Sequence, residues 1–290
     1  MVFAGTIGQF TGPNVLTDAQ RAEVTWLTLD SGSDSDIARA LEQSAPNAVV
    51  HLAGIAFAPD ANAAPAKAFE VNALGAFRLL HALSTAGAGS VRVLIVGSAE
   101  QYGSHPAGEQ PLRESAVQSP ITVYAASKAA QEVIALQMAR SSGLPVVCTR
   151  SFNHSGFGQS SQFLLPSLVS RVQALPPRGG TLRLGNETPI RDYLHVADVT
   201  AAYDALLERG QPGEAYNVSS GQGLTVRGVA DHVLMRLNIV AEISSDTALM
   251  RPVDVSSLVG DNAKLRAATG WTPKHSFDDI IDDLIHAKAR

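Results

Sequence analysis

Along its first two thirds the chain alternates short β-branched runs with helix-like stretches, which predicts parallel strands joined by crossover helices. VTWLTLD (24–30) reads as a strand ending on an aspartate, and SDIARALEQSA (35–45) as a helix with Ile37, Ala38, Leu41 and Ala45 on one face. NAVVHLAG (47–54) has the continuous apolar character of a buried strand running into a small-residue turn. The helix AKAFEVNALGAFRLLHALSTAG (66–87) is expected to stop at Gly87, and VRVLIVGSAEQYG (91–103) is a buried strand with a polar exit. A long helix follows over 119–143, then the strand LPVVCTRSFN (144–153). Beyond this the spacing loosens. PPRGG (176–180) reads as a loop, GEAYNVSSG (213–221) as a late strand, and DDIIDDLIHAK as an amphipathic closing helix. No repeat or low-complexity linker divides the chain, so two lobes are expected to interweave.

Composition narrows the class. The 290 residues are 45% hydrophobic and 17% charged, enough for one large α/β domain or two joined lobes with a sizeable core. The net charge is −5 and no lysine or arginine run occurs, so neither nucleic acid nor anionic lipid is an expected partner. No stretch approaches the roughly 20 apolar residues that span a membrane, and the N-terminus does not read as a secretory signal. Cys148 is the only cysteine and sits in the apolar run LPVVCTR, which reads as a small buried hydrophobe in a reducing cytoplasm.

The most informative segment is TVYAASKAAQEV. Tyr124 and Lys128 are four residues apart, so on a helix both project from one face about one turn (~5.4 Å) apart. An ammonium beside a phenol lowers its pKa from ~10 towards the working range, which would let the tyrosine exchange a proton with a carbonyl or alcohol. On its own such a pair describes many solvated helix faces. VGSAEQYG changes that, because it places Ser98 at the exit of a buried strand, where open α/β sheets bind ligands.

VGSAEQYG followed by YAASK resembles the extended short-chain dehydrogenase/reductase family of nucleotide-sugar enzymes. Downstream, RSFNHSGFGQSSQFLLPSLV, LRLGNETPIRDYLHVADV, GEAYNVSSG and LMRPVDVSSLVGDNAKLRAATGWTP resemble GDP-4-keto-6-deoxy-mannose reductases and the related GDP-mannose dehydratases. The resemblance runs from about residue 24 to the C-terminus. It implies a Rossmann-like doubly wound parallel α/β sheet with a smaller C-terminal substrate lobe. The dinucleotide-binding lobe would span 1–150 with 192–220 returning to it, and the nucleotide-sugar lobe 151–191 and 221–290.

By position, the resemblance makes Ser98, Tyr124 and Lys128 the catalytic set. Tyr124 would protonate the sugar oxygen, Lys128 would lower its pKa and hold the nicotinamide ribose, and Ser98 would polarise the carbonyl. Asn72 matches a position whose main chain supports the lysine through water, and Asp30 one that contacts the adenine edge. Leu52, Ala53 and Gly54 would line NAD or NADP. Asn153, Arg191 and Arg251 match positions that grip the diphosphate, as guanidinium forks do. Phe163, Leu164 and Pro166 would pack round the nucleotide, and Asn186 would reach its base. Glu100 stands where related dehydratases keep an acidic base, so elimination or epimerisation stays open beside reduction. Phe157 and Ser155 depart from the proline and threonine of the reductase run. The resemblance also implies a homodimer through helices 66–87 and 119–143. His51, His154 and His195 show no metal-ligand spacing, so no metal is expected.

The glycines of AGTIGQFTG, Gly5, Gly8 and Gly12, look like a dinucleotide loop. Only eighteen positions separate Gly12 from Asp30, too few for the helix and strand that would intervene. Pro13 also suits a turn better than a phosphate-cradling helix start. The preferred alignment therefore puts MVFAGT on the second strand, leaving the chain as given without the usual first strand and glycine loop. The rival alignment makes MVFAG the first strand, 13–22 a compressed helix and VTWLTLD the second strand. If the shortened end holds, cofactor affinity is expected to be poor. A nucleotide-sugar-binding protein deficient in cofactor is then the alternative to an enzyme.

Overall fold

In the computed structural model, which describes residues 1–7, 16–250 and 254–286, the apolar runs of the first half form short parallel strands. β1 (Val2–Thr6) and β2 (Val24–Thr28) flank α1 (Asp18–Ala22), whose N-terminus is closed by a capping box between Thr17 and Gln20. α2 (Asp34–Ser44), capped by Ser33, leads to β3 (Ala48–His51). α3 (Ala58–Ala63), α4 (Pro65–Phe69) and α5 (Gly75–Thr85) follow, the last two joined by a π-helical turn at Glu70–Leu74. β4 (Arg92–Val96) and β5 (Val146–Ser151) bracket the long α6 (Val123–Ser142), which Thr122 caps.

The second half is more mixed. It contains β6 (Asn153–Ser155), α7 (Leu164–Gln173), β7 (Arg178–Leu184), β8 (Ile190–His195) and α8 (Val196–Arg209). β9 (Ala215–Val218), β10 (Gly223–Thr225), α9 (Val226–Arg236), β11 (Val240–Ser245), β12 (Ser257–Leu258), α10 (Ala263–Thr269) and α11 (Phe277–His286) complete it.

The central sheet is parallel, in the order β3-β4-β5-β9. Val93, Ile95, Val146 and Cys148 pack on one face against Leu80 and Leu83 of α5 and Ala135 of α6. Leu94 and Val147 pack on the other face against Val199, Ala202 and Leu206 of α8. Helices thus cover both faces, which is why β4 and β5 are apolar on successive residues rather than alternately. Each fully buried leucine contributes about 1.5–3 kcal/mol from apolar burial alone. The smaller lobe holds β10-β8-β12, with β6 beside β8, and the parallel pair β7–β11. Its core joins Leu165, Leu168, Val169, Leu182, Val233 and Ile281. β9 lies in the central sheet, whereas β8, including its residues 192–195, bonds within the smaller lobe.

β1 and β2 form a parallel pair of their own. Among the described residues β1 bonds only to β2, and β3 only to β4. MVFAG therefore does not join β3, as a first strand of the doubly wound order would. The pair is tied to the central sheet through α2, where Leu41 packs on the α5–α6 cluster and Asp34 lies 3.6 Å from Arg78 of α5. Gly5 stands inside β1, where a Cβ would meet Leu29 Cδ2 at 2.5 Å, so it belongs to a strand and not to a phosphate loop. Gly8 and Gly12 lie outside the described residues.

Four expectations from the sequence change. The strand read at 47–54 is shorter and not buried throughout: Ala48 is exposed and Val50 is 38% exposed, because β3 has a strand neighbour on one side only. The helix read at 66–87 is interrupted by the π turn. The helix read at 119–143 starts at Val123, since Pro120 cannot supply a helical N–H within its interior. PPRGG is not a loop throughout, because Arg178 to Gly180 open β7, recruited by parallel pairing with β11.

Candidate active site

Ser98 follows β4, the strand whose apolar run exits the buried sheet at Gly97. It N-caps the 3₁₀ turn Ala99–Tyr102, with its Oγ accepting from Glu100 N–H at 3.2 Å. Gln101 closes the same turn as a capping box, its Oε1 accepting from Ser98 N–H at 2.8 Å. Tyr124 lies in the first turn of α6 and Lys128 one turn later, and both are buried. Lys128 Nζ donates to Val96 O at 2.8 Å and to Gln131 Oε1 at 3.0 Å, fastening α6 to the end of β4.

The electrostatics differ from the sequence expectation. Burial pushes the Tyr124 phenol well above its ordinary value, Ser98 draws it down by hydrogen bonding, and the charges of Glu100 and Tyr203 push it up. The Lys128 ammonium, turned to Val96 and Gln131, is not among these causes. Burial pulls Lys128 itself down to about 8. The phenol is therefore held protonated by desolvation rather than ionised by its neighbour. His51, at the end of β3, is brought down to about 4 by burial and then by the charge of Lys128, and its Nε2 is buried without a hydrogen-bond partner.

Asn72 sits in the π turn, a distortion that often marks functional positions. Its side chain makes the bonds: Oδ1 accepts from Ile55 N–H at 2.7 Å, and Nδ2 donates to Ser127 Oγ at 2.8 Å. Ser127 Oγ in turn donates to Tyr124 O at 2.8 Å. Asn72 thus braces the loop after β3 against α6 through its side chain. Leu52, Ala53 and Gly54 are exposed on that loop. At Gly54 a Cβ would stand 3.0 Å from Asn72 Oδ1 and 3.4 Å from Lys128 Nζ, so glycine lets the loop pass this close to the lysine. Asp30 is exposed just after β2, with Oδ1 accepting from Gly32 N–H.

Phe57, just before α3, and Phe163 of the smaller lobe pack edge to face, ring centres 5.7 Å apart. Phe163 precedes α7, Leu164 opens it and packs on the lobe's core, and Pro166 is half-buried in its first turn. Asn153 is exposed at the start of β6. Arg191, on β8, is engaged by Asp254 Oδ1 at 2.5 Å and by Ile190 O. Asn186 is exposed between β7 and β8, its Oδ1 occupied by Thr188. Arg251 lies outside the described residues. His154 donates from Nδ1 to Phe152 O, and His195 Nε2 lies 2.9 Å from Asp283 Oδ2 while its Nδ1 accepts from Ala197 N–H.

The sequence reading missed a buried polar network beneath Ser98. Glu132 accepts from Arg150 Nε and Nη2 at 3.0 and 2.7 Å, from Gln101 Nε2 at 2.9 Å and from Gln118 Nε2 at 2.6 Å. Arg150 Nη1 also donates to the Tyr102 hydroxyl and to Glu114 O. Tyr102 passes the chain on to Asn217 at 2.7 Å. The available signal was spacing, since Glu132 lies one turn beyond Lys128 on the same face of α6.

The residues present fit the nicotinamide end of a dinucleotide. Gly54 passes close to Lys128, which spends two of its three protons on Val96 and Gln131, and Tyr124 lies one turn away. For the pyrophosphate the described residues offer no matching cradle: α1 is five residues long and its first turn is closed on Thr17 and Gln20.

Residues 12–284 match the model of the family described as GDP-mannose 4,6 dehydratase. Over 244 residues the chain is 34% identical to GDP-6-deoxy-D-mannose reductase of Pseudomonas aeruginosa, covering 82% of this chain and 80% of that enzyme. The structure of RMD from Pseudomonas aeruginosa complexed with NADPH superposes with a TM-score of 0.83 at 30% identity, covering 91% of this chain and 89% of the other. UDP-glucose 4-epimerase of Thermus thermophilus, solved with NAD, gives a TM-score of 0.85 at 28% identity, covering 99% and 91%.

Proposed function

The chain belongs to the GDP-mannose 4,6-dehydratase family, and on that premise we propose that it is an NAD(P)-dependent reductase of a GDP-4-keto-6-deoxy-hexose. The observation that carries this reading is the buried Tyr124 phenol, facing Ser98 at the exit of β4 and one turn before Lys128. Reduction of a ketone demands a proton donor beside the carbonyl, and Tyr124, in hydrogen-bonding reach of Ser98, is the group set to supply it. When bound, the reduced nicotinamide supplies the hydride. Tyr124 delivers the proton to the carbonyl oxygen as charge develops on it. Ser98, whose oxygen already accepts from Glu100 N–H, donates its own proton to the same oxygen. Lys128 places positive charge beneath the ribose.

Asp30, Leu52, Ala53, Gly54 and Asn72 form or brace the cofactor side. Asn153, Phe163, Leu164, Pro166, Asn186 and Arg191 form the nucleotide-sugar side, to which the resemblance also assigns Arg251. Arg191 has N–H groups beyond the two bonded to Ile190 and Asp254 with which to take a diphosphate oxygen. The decisive assay incubates the protein with GDP- and dTDP-4-keto-6-deoxy sugars and each reduced cofactor, following nicotinamide absorbance. Oxidation of cofactor with the GDP sugar supports the reading, and no oxidation with any pair overturns it.

A second reading, 4,6-dehydration or epimerisation with bound NAD, is favoured by Glu100. Its carboxylate is close enough to raise the Tyr124 pKa, and in this reading it is the base that would take a ring proton. A third, a nucleotide-sugar-binding protein that holds cofactor poorly, is favoured by the break between β1 and β3.

The outer faces of α5 and α6, with the preceding π turn, expose Leu74, Phe77 and Val133. An isologous homodimer through them is part of the proposal, and light scattering at twice the 30.4 kDa chain mass tests it. No helix among the described residues is long and apolar enough to cross a membrane. A buried, unpaired Cys148 suits the reducing cytoplasm that the proposal assigns to the enzyme.

A further inference from the structure

We propose that Gln101 is a positioning residue that holds Ser98 in register with Tyr124; the inference rests on the reading of Ser98 and Tyr124 as the reacting pair. Ser98 and Tyr124 come from different elements, the turn after β4 and the first turn of α6. Their separation is therefore not fixed by either backbone alone. Lys128 ties α6 to Val96 before the turn, and Gln101 ties it to the Ser98 main chain itself. Gln101 is fully buried, its Oε1 accepts from Ser98 N–H at 2.8 Å, and its Nε2 donates to Glu132 Oε2 at 2.9 Å.

Glu132 lies two turns after Tyr124 on α6, so the amide links the Ser98 main chain directly to the helix that carries the phenol. The far end of that link is rigid. Glu132 is buried, and Arg150 holds it through two guanidinium hydrogen bonds from β5, a geometry that fixes orientation as well as charge. Gln118 supplies a further donor, so every bond Glu132 makes defines the place at which Gln101 arrives.

The space for this arrangement is also built in. At Gly97 a Cβ would run into the main-chain oxygen of Thr149 and would lie 2.6 Å from Gln101 Oε1. Any side chain there would evict the amide oxygen from its place over the strand end. A glutamine is required at 101 because one end must accept and the other must donate. Glutamate would face Glu132 with like charge, and leucine would leave Ser98 N–H unpaired and Glu132 Oε2 with Arg150 Nε as its remaining donor.

Gln101→Leu is expected to lower kcat about 10- to 100-fold with KM for the nucleotide sugar held within about threefold, as a sub-ångström misplacement of a reacting group does. The test is a double-mutant cycle with Ser98→Ala. If Gln101 acts through Ser98, adding Gln101→Leu to Ser98→Ala costs no more than about threefold further; losses that multiply overturn the proposal. Gln101→Glu gives a second sign, because its turnover relative to wild type climbs as the pH falls and the carboxyl takes up a proton to mimic the amide. A deficit constant with pH overturns it.

A readout independent of turnover keeps the two readings separable. In a crystal structure of Gln101→Leu, or of Gln101→Glu should the leucine variant not fold, the distance from Ser98 Oγ to Tyr124 Oη is expected to change by about 0.5 Å or more. Ser98 unmoved against Tyr124 removes the positioning role. Absence of wild-type turnover removes the proposed reaction and leaves this measurement to decide the role of Gln101.

Discussion

Lys128 Nζ donates to the main-chain oxygen of Val96 at 2.8 Å, so the helix bearing the phenol is pinned to the strand that ends at Ser98. This bond is made inside the protein, where burial has brought the lysine down to about 8. The ammonium therefore loses its proton within an accessible pH range, and with it the positive charge beneath the reacting groups. As the pH rises through about 8, kcat/KM is expected to fall. Lys128→Met keeps the apolar stem and is expected to reduce kcat/KM at least ~10²-fold and to abolish that limb. A pH–rate profile of both proteins checks this, and a wild-type limb that persists in the variant assigns it to another group.

Tyr124→Phe removes one hydroxyl from a buried ring and leaves its volume filled. Thermal unfolding is expected to shift by only a few degrees, because the lost contact to Ser98 is about 0.5–1.5 kcal/mol. Turnover is expected to fall about 10²- to 10⁴-fold, the range over which a positioned general acid acts. Calorimetric titration with GDP separates the two effects, since nucleotide affinity is expected to stay within about threefold when the loss is confined to proton transfer.

Much of the central sheet was legible because its signals are local. Val93 to Ile95 and Val146 to Cys148 are apolar on successive residues, and only a strand covered on both faces needs that. The Tyr124–Lys128 pair was legible from helical spacing. What spacing could not supply is the dielectric round it. The phenol is desolvated by residues far away in sequence, so burial, and not the neighbouring ammonium, sets its ionisation. Gln101, Glu132 and Arg150 were missed for a related reason. Each is an ordinary polar residue until the turn after β4, α6 and β5 converge and leave them no other partners. β7 was missed because PPRGG carries turn residues, and only the pairing with β11 makes a strand of its end.

His51 gives a stability prediction with a definite sign. Burial first, and the Lys128 charge second, bring the imidazole down to about 4 in the folded chain, while the unfolded chain keeps about 6.5. Between these values the unfolded state binds the extra proton, so the contribution is fully present above about 6.5 and is lost as the pH falls towards 4. The full loss is on the order of 3 kcal/mol. Urea unfolding from pH 7 to 4.5 is expected to show a steeper decline for wild type than for His51→Gln. Parallel curves would mean that His51 is protonated in the folded state, or solvated.

The separation of β1–β2 from β3 carries the last prediction. The pair shares backbone hydrogen bonds with no other strand among the described residues and leans on the rest of the molecule through α2. Opening it breaks few contacts, whereas opening β4 or β5 breaks the core on both faces. Amides of β1 and β2 are therefore expected to exchange at least about 10³-fold faster than those of β4 and β5. The same separation bears on cofactor. A pyrophosphate that lacks two charge-assisted backbone hydrogen bonds loses roughly 1.5–3 kcal/mol for each, or about 10²- to 10⁴-fold in affinity. NADPH is thus expected to bind this chain with a dissociation constant above ~100 μM, measured by nucleotide fluorescence. Binding near ~1 μM, or exchange in β1 as slow as in β4, would show that the gap is closed in solution and that the phosphates find their donors elsewhere.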